Sequence, residues 1–196
     1  MDHKLITLEK VPHALVEQIV ATDFSNLLQY YRDENLCQLR VGISKVQKTP
    51  HCYETILFDW DDVEKDLFLS ELFGYVETVY QRNKSPSKAM GLRPQLIHYP
   101  KDVGCLGSHY HDNSIQKIGA VCVLQSSHEN GVFYVERGKQ IYLANERVGD
   151  CIVFDFGLVH GVASYSTIPD GFFEKGDANK IDLNEIGRLV AVLSSE

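Results

Sequence analysis

The sequence lacks the features that mark membrane, secreted and disulfide-bonded proteins. No apolar run approaches the about 20 residues needed to cross a bilayer. The N-terminal "MDHKLITLEK" has no apolar core of the kind that a signal peptide carries. The five cysteines form no CxxC pair, and their odd number fits neither a disulfide framework nor a zinc ribbon. We therefore expect a soluble, cytoplasmic protein in which most cysteines are buried thiols.

Basic runs and several common enzymatic motifs are also absent. The formal net charge of −8 disfavours non-specific binding to nucleic acid, which depends on lysines and arginines that neutralise phosphates. There is no G-x-S-x-G motif, no P-loop and no Rossmann glycine signature, so hydrolase, phosphoryl-transfer and dinucleotide chemistries have no support. The expected partner is a small-molecule substrate, with neither nucleic acid nor membrane, and a homodimer is left open.

The size and composition of the chain indicate one globular unit. With 196 residues, 44% hydrophobic and 23% charged, it is long enough to bury a core, and no repeat or linker divides it. We predict a single domain over residues 1–196. Its helical N-terminal part covers about 1–88, and its β core covers about 89–196.

Apolar residues recur at helical spacing in two regions of the N-terminal part. Between Pro12 and about Tyr31 they predict one amphipathic helix, with a break near Asp23 left open. A second helix is predicted over "VEKDLFLSELFGYVETVYQRNK", whose basic end suits the negative pole of a helix. Between them, "QLRVGISK" and "CYETILFD" are rich in β-branched and aromatic residues, which predicts two strands.

After Pro86 the sequence becomes a succession of short strand-like runs separated by turn residues. The runs are "RPQLIHY", "CLGSHYH", "KIGAVCVLQ", "GVFYVER", "QIYLAN", "DCIVFDF", "VHGVASY" and "GRLVAVLSS". Eight such strands would close into a double-sheet jelly roll, whose interior can hold a ligand or a metal. The predicted fold class is therefore mainly β with flanking helices (α+β), a jelly roll with N-terminal helices packed on it.

Asn130-Gly131 is the strongest hairpin signal in the chain. Both residues tolerate the positive φ that a tight primed turn requires. The motif predicts that "KIGAVCVLQ" and "GVFYVER" pair with each other as neighbouring strands.

Three histidines are candidate ligands of one metal ion. In an extended strand, residues i and i+2 point to one face, so His109 and His111 of "GSHYHDNS" would face one side and Asp112 the other. Imidazole is a common metal ligand, and such a pair needs one more group. His160 in "GDCIVFDFGLVHGV" is the candidate for that group. The alternative is that these are ordinary surface or packed histidines, but a same-face pair with a third candidate favours a metal site.

The order of these motifs resembles that of the Fe(II)/2-oxoglutarate-dependent dioxygenases. The resemblance covers roughly Leu92 to Ser195, and its most specific piece is "GDCIVF…HGV" followed by Gly187-Arg188. The matching pieces are, in chain order, Tyr99, "HYH", "NGVFYV", "GDCIVFDFGLVHGV" and "GRLVAVLSS".

The resemblance implies a double-stranded β-helix, or jelly roll, that binds Fe(II) and uses 2-oxoglutarate as a co-substrate. It implies that His109 and His160 are iron ligands and that Arg188, with Tyr99, binds 2-oxoglutarate, whose carboxylate suits the guanidinium fork. Oxidative decarboxylation of 2-oxoglutarate with O₂ would then drive hydroxylation or desaturation of a small molecule. Arg188 lies in an otherwise apolar run, and a buried guanidinium needs a partner anion. A surface arginine and a packed tyrosine remain the alternatives.

Two features depart from the family pattern. His111 occupies the position where the family places a carboxylate, with Asp112 one residue late. Three neutral ligands, His109, His111 and His160, resemble instead the iron sites of cupin dioxygenases such as thiol dioxygenases. The second departure is the long separation of His160 from Arg188, which leaves a loop over residues 166–186 that is either a lid, with Phe172 and Phe173 at its tip, or a surface excursion.

Three hypotheses for the function follow. The leading one is a non-haem Fe(II) oxygenase that uses 2-oxoglutarate. The second is a three-His cupin-type dioxygenase that works without 2-oxoglutarate, and the third is a non-catalytic cupin-like binding module. The cupin motif matches only in part: Gly149, Gly157 and His160 fit its second half, whereas Ile115 and Gln116 stand where its first half expects a glutamate.

Overall fold

The computed structural model describes most of the chain. The described residues are 5–45, 47–83, 91–111, 116–126, 131–163 and 181–194. The predicted boundary near residue 88, Asp112, Asn130 and most of the 166–186 loop lie outside these ranges.

Four helices are described, and side chains fix where two of them begin. They are α1 (His13–Ala21), α2 (Phe24–Asp33), α3 (Trp60–Val63) and α4 (Leu67–Arg82). The break left open near Asp23 is present, because the Asp23 carboxylate accepts a hydrogen bond from the Asn26 N–H and starts α2 there. Asp66 starts α4 in the same way through the Leu69 N–H. No described helix combines the length and the apolar character required to cross a membrane.

The β part contains eleven described strands, and all of their pairings are antiparallel. They are β1 (Ile6–Lys10), β2 (Cys37–Ile43), β3 (Pro50–Leu57), β4 (Arg93–Pro100), β5 (Cys105–His109), β6 (Ile118–Ser126), β7 (Val132–Arg137), β8 (Gln140–Leu143), β9 (Asp150–Asp155), β10 (Val159–Ala163) and β11 (Ile186–Ser194). The eight strands predicted after Pro86 all form, and the mainly β jelly-roll prediction is confirmed. β1 was not predicted, because its short "ITLEK" run carries only two well-spaced apolar residues.

The strands follow the order β1-β9-β6-β11-β4-β3-β5-β10-β7-β8, with β2 on the side of β3. β3 connects the two layers of the jelly roll. Its residues 54–57 pair with β4, whereas His51 and Cys52 pair with β5. One strand thus serves two sheets, and the space between them is the interior of the roll.

Alternation along the strands separates two cores. In β11, Leu189, Ala191 and Leu193 pack on the helical side, against the core that includes α1, α2 and α4. Val190 and Val192 point the other way, into the core between the two sheets. Because side chains alternate with a period of two, residue 188 belongs to the inner face together with 190 and 192. This places Arg188 inside the jelly roll.

The predicted hairpin between β6 and β7 is wrong. Within the described residues, β6 pairs with β9 and β11, and β7 pairs with β8 and β10. Each strand therefore has both of its hydrogen-bonding edges filled by other strands. Gly131 does adopt a positive φ of 70°, so a turn conformation is used there, but the chain crosses between the sheets.

The cysteines behave as predicted. All five are free, and Cys52, Cys105, Cys122 and Cys151 are buried. These four lie in two directly opposed pairs, Cys52 with Cys105 and Cys122 with Cys151. Burial raises the pKa of Cys52 to about 12 and that of Cys105 to about 11, so the thiol forms dominate at neutral pH.

Candidate metal centre and its pocket

His109 and His160 face each other across two neighbouring strands. Their Cα atoms are direct partners in the antiparallel pairing of β5 and β10, and their ring centroids are 4.3 Å apart. The register of the pairing shifts between His160 and Val162, immediately after the contact. Residues 51 positions apart in the sequence are therefore brought together by strand pairing alone.

Backbone carbonyls fix which nitrogen of each ring is available. Nδ1 of His109 lies 3.0 Å from the carbonyl oxygen of Gly107, and Nδ1 of His160 lies 2.7 Å from that of Leu158. A carbonyl oxygen only accepts, so Nδ1 donates its proton in both contacts. Nε2 of each ring then carries the lone pair that can bind a metal. This is the arrangement in which an outer hydrogen bond orients a metal-binding imidazole.

His111 joins the pair from just beyond the end of β5. The sequence predicts an extended strand through His111, but β5 ends at His109. The centroid of the His111 ring still lies 5.0 Å from that of His109 and 5.3 Å from that of His160. The ring stacks on Phe156 with a centroid distance of 4.0 Å and an interplanar angle of 5°. One nitrogen from each of the three rings lies within 4.8 Å of the others.

That spacing suits a shared metal ion. Three nitrogens bound to one divalent ion at about 2.1 Å lie on average at most about 3.6 Å apart. A pair of nitrogens at the 4.8 Å limit would therefore have to come closer by about 1 Å or more to share one ion. That the three histidines bind a metal stays a prediction.

The three imidazoles are held neutral. Burial lowers the pKa of His160 to about 3, with the nearby His109 as a second cause. Burial also lowers the pKa of His111 to about 4 and shifts that of His109 in the same direction. Neutral imidazole is the form that binds metal, so no proton has to be displaced at neutral pH.

Arg188 is fully buried, with 0% of its side chain exposed. Its Nη1 donates to Oε1 of Glu146 and lies 3.4 Å from the carbonyl oxygen of Gly131. Its Nε and Nη2 have no hydrogen-bond partner among the described residues, and neither does Oε2 of Glu146. An unpartnered buried N–H of a guanidinium is costly, so Nε and Nη2 of Arg188 are suited to bind an anion.

Tyr99 lies beside Arg188. The two residues are Cα partners in the pairing of β4 and β11, and Tyr99 is only 3% exposed. Burial raises the pKa of the Tyr99 phenol, and the positive charge of Arg188 opposes that shift only in part. The phenol therefore stays protonated and can donate a hydrogen bond.

The predicted site residues all line one cavity. Its volume is about 480 Å³, and it contains His109, His111 and His160 together with Arg188 and Tyr99. A volume of this size falls within the range of small-ligand sites. The structure thus brings together all five residues, although their roles remain predictions. Asp112, the alternative ligand, lies outside the described residues.

Behind the cavity, on the helical side of the sheet, the half-buried Arg32 forms a cluster with the buried Glu54 and His98. Nε and Nη2 of Arg32 donate to the Glu54 carboxylate at 3.0 and 2.8 Å, and Nδ1 of His98 donates to it at 3.0 Å. Arg32 Nη2 also donates to the carbonyl oxygen of Leu183 at 2.8 Å. Burial favours a raised pKa for Glu54, but the hydrogen bonds from His98 and Arg32 outweigh it and lower the pKa to about 2.

Sequence reasoning missed two residues that matter to the pocket. Glu146 lies in an irregular "ANERVG" segment before β9, and nothing local marks it as the partner of Arg188. Tyr53 lines the cavity, and its ring lies 6.1 Å from that of Tyr99. Its inward orientation could have been inferred from alternation in β3, whereas the ion pair of Glu146 depends on tertiary structure.

No family model matches the sequence, and comparison with curated protein sequences also finds no match. Solved structures do match. A prolyl-4-hydroxylase from Pseudomonas putida has a TM-score of 0.56 at 14% identity, covering 98% of this chain and 93% of its own. A prolyl hydroxylase from Trichoplax adhaerens, in complex with a hypoxia inducible factor oxygen degradation domain peptide fragment, has a TM-score of 0.60 at 8% identity, covering 98% and 84%.

A third structure is the epimerase SnoN in complex with Fe³⁺, alpha ketoglutarate and nogalamycin RO. Its TM-score is 0.53 at 11% identity, and the match covers 96% of this chain and 78% of the other. At such low identities these similarities establish the jelly-roll fold alone.

Proposed function

We propose that this protein is a non-haem iron oxygenase that uses 2-oxoglutarate to hydroxylate or desaturate a small molecule. The observation that carries the proposal is the combination of two features in one cavity. These are the three-histidine cluster and a fully buried guanidinium with two unpartnered N–H groups. A metal site alone would fit many functions, whereas a metal site beside a buried arginine with two unpartnered N–H groups fits a carboxylate co-substrate.

His109, His111 and His160 would hold the iron. His109 and His160 present Nε2, because Nδ1 of each is engaged by a carbonyl oxygen. Three ligands leave coordination positions open for 2-oxoglutarate and O₂. Bound iron would supply the activation of O₂, coupled to the oxidative decarboxylation of 2-oxoglutarate.

Arg188 and Tyr99 would bind the far carboxylate of 2-oxoglutarate. Nε and Nη2 of Arg188 offer two N–H groups to one carboxylate, and the protonated Tyr99 phenol on the paired strand can add a third donor. Burial of Arg188 excludes water from this contact, which strengthens it. The apolar inner face around Val190 and Val192 shields the bound co-substrate.

The comparisons support this proposal without defining the reaction. Two of the similar structures are prolyl hydroxylases, and SnoN was solved with Fe³⁺ and alpha ketoglutarate bound. Because SnoN is an epimerase, this fold serves reactions other than hydroxylation.

Two observations favour a three-His dioxygenase without 2-oxoglutarate as the second candidate. The third residue of the cluster is His111 rather than a carboxylate, so the ligands carry no charge. Glu146 also compensates the charge of Arg188 already. In this alternative the substrate would bind directly to the metal, and Arg188 would be a structural residue.

The test is to measure iron and 2-oxoglutarate binding with Arg188→Met beside the matched control Arg137→Met, an exposed arginine outside the cavity. Calorimetry under nitrogen gives the 2-oxoglutarate dissociation constant, and product analysis in air gives succinate. We expect Arg188→Met to weaken 2-oxoglutarate binding by about 2–5 kcal/mol, to leave iron content almost unchanged and to abolish succinate formation.

The control variant should match the wild type in all three measurements. An iron-loaded wild type that neither binds 2-oxoglutarate nor forms succinate would exclude the co-substrate and favour the three-His dioxygenase. A wild type that binds no iron would leave only the binding-module hypothesis.

A further inference from the structure

The cavity wall has a charge balance opposite to that of the whole chain. The chain carries 27 acidic and 19 basic residues, for a net charge of −8. The described residues that line the cavity nevertheless include two arginines, Arg40 and Arg188, and no aspartate or glutamate; its four histidines have lowered pKa values and are neutral. Glu146, the partner of Arg188, is not one of the lining residues. Such a wall favours an anionic ligand and disfavours a cationic one.

The two arginines stand at the ends of one row of side chains. Arg40 in β2 is the Cα partner of Tyr53 in β3, and Arg188 in β11 is the Cα partner of Tyr99 in β4. The Tyr53 and Tyr99 rings lie 6.1 Å apart and connect the two pairs. All four residues line the cavity. Since neighbouring strands lie about 4.8 Å apart, a row across β2, β3, β4 and β11 separates the arginine Cα atoms by about 14 Å.

The two ends of the row differ in their access to solvent. Arg188 is fully buried, whereas Arg40 is exposed on β2, which lies at the outer side of β3. The Arg40 charge also acts on the cavity side of β3: the pKa of His51 is lowered first by burial and next by Arg40. Arg40 thus lies on the exposed part of the cavity wall, and Arg188 on its enclosed part.

We propose that Arg40 binds the acidic group of the primary substrate, so that the substrate is a small organic acid with an apolar body. The inference rests on the proposed function, in which Arg188 is committed to 2-oxoglutarate and a second acid needs a second cation. The rings of Tyr53, Tyr99 and Phe156, all on the cavity wall, provide apolar surface for the body of such a substrate. A carboxylate and a phosphate would be recognised by the same guanidinium chemistry.

The experiment measures how strongly the acidic group of a probe contributes to its binding. Iron-loaded protein, saturated with 2-oxoglutarate under nitrogen, is titrated by calorimetry with 3-phenylpropionate, with its neutral amide 3-phenylpropanamide and with 2-phenylethyl phosphate. We expect the wild type to bind one of the two acids about tenfold or more tightly than the amide. Whichever acid is tighter identifies the group as carboxylate or phosphate.

Arg40→Gln should remove this preference by weakening acid binding while leaving amide binding and 2-oxoglutarate binding unchanged. Arg40→Lys should keep part of it, and Arg137→Gln all of it. Equal binding of acid and amide by the wild type, no binding of either acid at about 10 mM, or a preference that survives in Arg40→Gln would each overturn the proposal. So would a loss of 2-oxoglutarate affinity in Arg40→Gln, which would assign Arg40 to the co-substrate.

Failure of the proposed function would give a different result. Repeating the titrations without 2-oxoglutarate, in wild type and in Arg188→Met, separates the two arginines. A preference for acids that depends on Arg40 but not on Arg188, in a protein that does not bind 2-oxoglutarate, would support the Arg40 site and reject the co-substrate.

Discussion

Arg188 and Glu146 form an ion pair in which both side chains are buried, 0% and 3% exposed. One Nη1 contact joins them, and Nε and Nη2 of Arg188 and Oε2 of Glu146 stay without a partner in the described part of the chain. A buried pair of this kind gains little net stability, because desolvation offsets the attraction. It does hold the guanidinium ready for a second anion, which would then share Arg188 with Glu146.

Replacing Glu146 with glutamine tests this sharing. The glutamine removes the negative charge that competes for Arg188, so we expect 2-oxoglutarate to bind several-fold more tightly. The unliganded variant should be less stable by about 3 kcal/mol or more, since a buried charge loses its partner. Calorimetry and thermal unfolding with and without 2-oxoglutarate measure both effects. Weaker binding in the variant would mean that Glu146 positions the guanidinium rather than competing for it.

Removal of a central histidine should empty the metal site without unfolding the protein. His160 stands opposite His109 and is a proposed ligand. Loss of a residue that only hydrogen-bonds to a ligand typically lowers metal affinity by about 10- to 100-fold, so we expect His160→Ala, which removes a ligand, to lower iron affinity by more than about 100-fold. Metal analysis and circular dichroism check the two claims. His13→Ala, at an exposed histidine of α1, is the matched control. A full iron complement in His160→Ala would show that His160 is not a ligand.

The third ligand can be identified by comparing neighbours. His111→Ala should lower iron affinity strongly, because the His111 ring lies within the cluster, whereas Asp112→Ala should leave it near the wild-type value. The measurement is an iron-binding titration on both variants. The reverse result, with loss only in the Asp112 variant, would mean that a bulge turns the aspartate inward and restores the H-x-D arrangement.

We expect the folded protein to lose stability in acid because of the lowered pKa of Glu54. Its pKa is about 2 in the folded protein and 4.5 ordinarily, so its contribution is complete above pH 4.5 and is lost as the pH falls towards 2. The difference corresponds to about 3 kcal/mol between pH 5 and pH 2. Urea unfolding across this range should show a shallower decline for Glu54→Gln than for wild type or for Glu17→Gln, an exposed control. Parallel curves for the three proteins would contradict the assignment.

Much of the site could be predicted from the sequence because it is encoded by local patterns. Strong β character marks three segments of the sequence: the strands that contain His109 and His160, and the apolar run around Arg188. Alternation along a strand then indicates which face of the sheet each side chain occupies. The break before α2 also follows from one capping residue, Asp23. These predictions required no knowledge of which strands are neighbours.

The predictions failed where the partner of a strand or side chain had to be known. The Asn130-Gly131 signal identifies a turn conformation, but β6 and β7 each have two edges, and other strands occupy both. Glu146 pairs with Arg188 from 42 positions away in an irregular segment. Neither relationship has a periodic pattern, because both depend on the closure of the two sheets.

The hydrogen bond from Arg32 to the Leu183 carbonyl connects helix α2 to the segment that leads into β11. Leu183 precedes Arg188 by five positions. The Arg32 guanidinium that binds the Leu183 carbonyl also binds the buried Glu54 behind the sheet. The path of the chain into β11 is thus anchored from α2. If Arg188 binds 2-oxoglutarate as proposed, substitutions at Arg32 would change this anchor, and with it the chain that leads to Arg188, without altering a residue of the cavity wall.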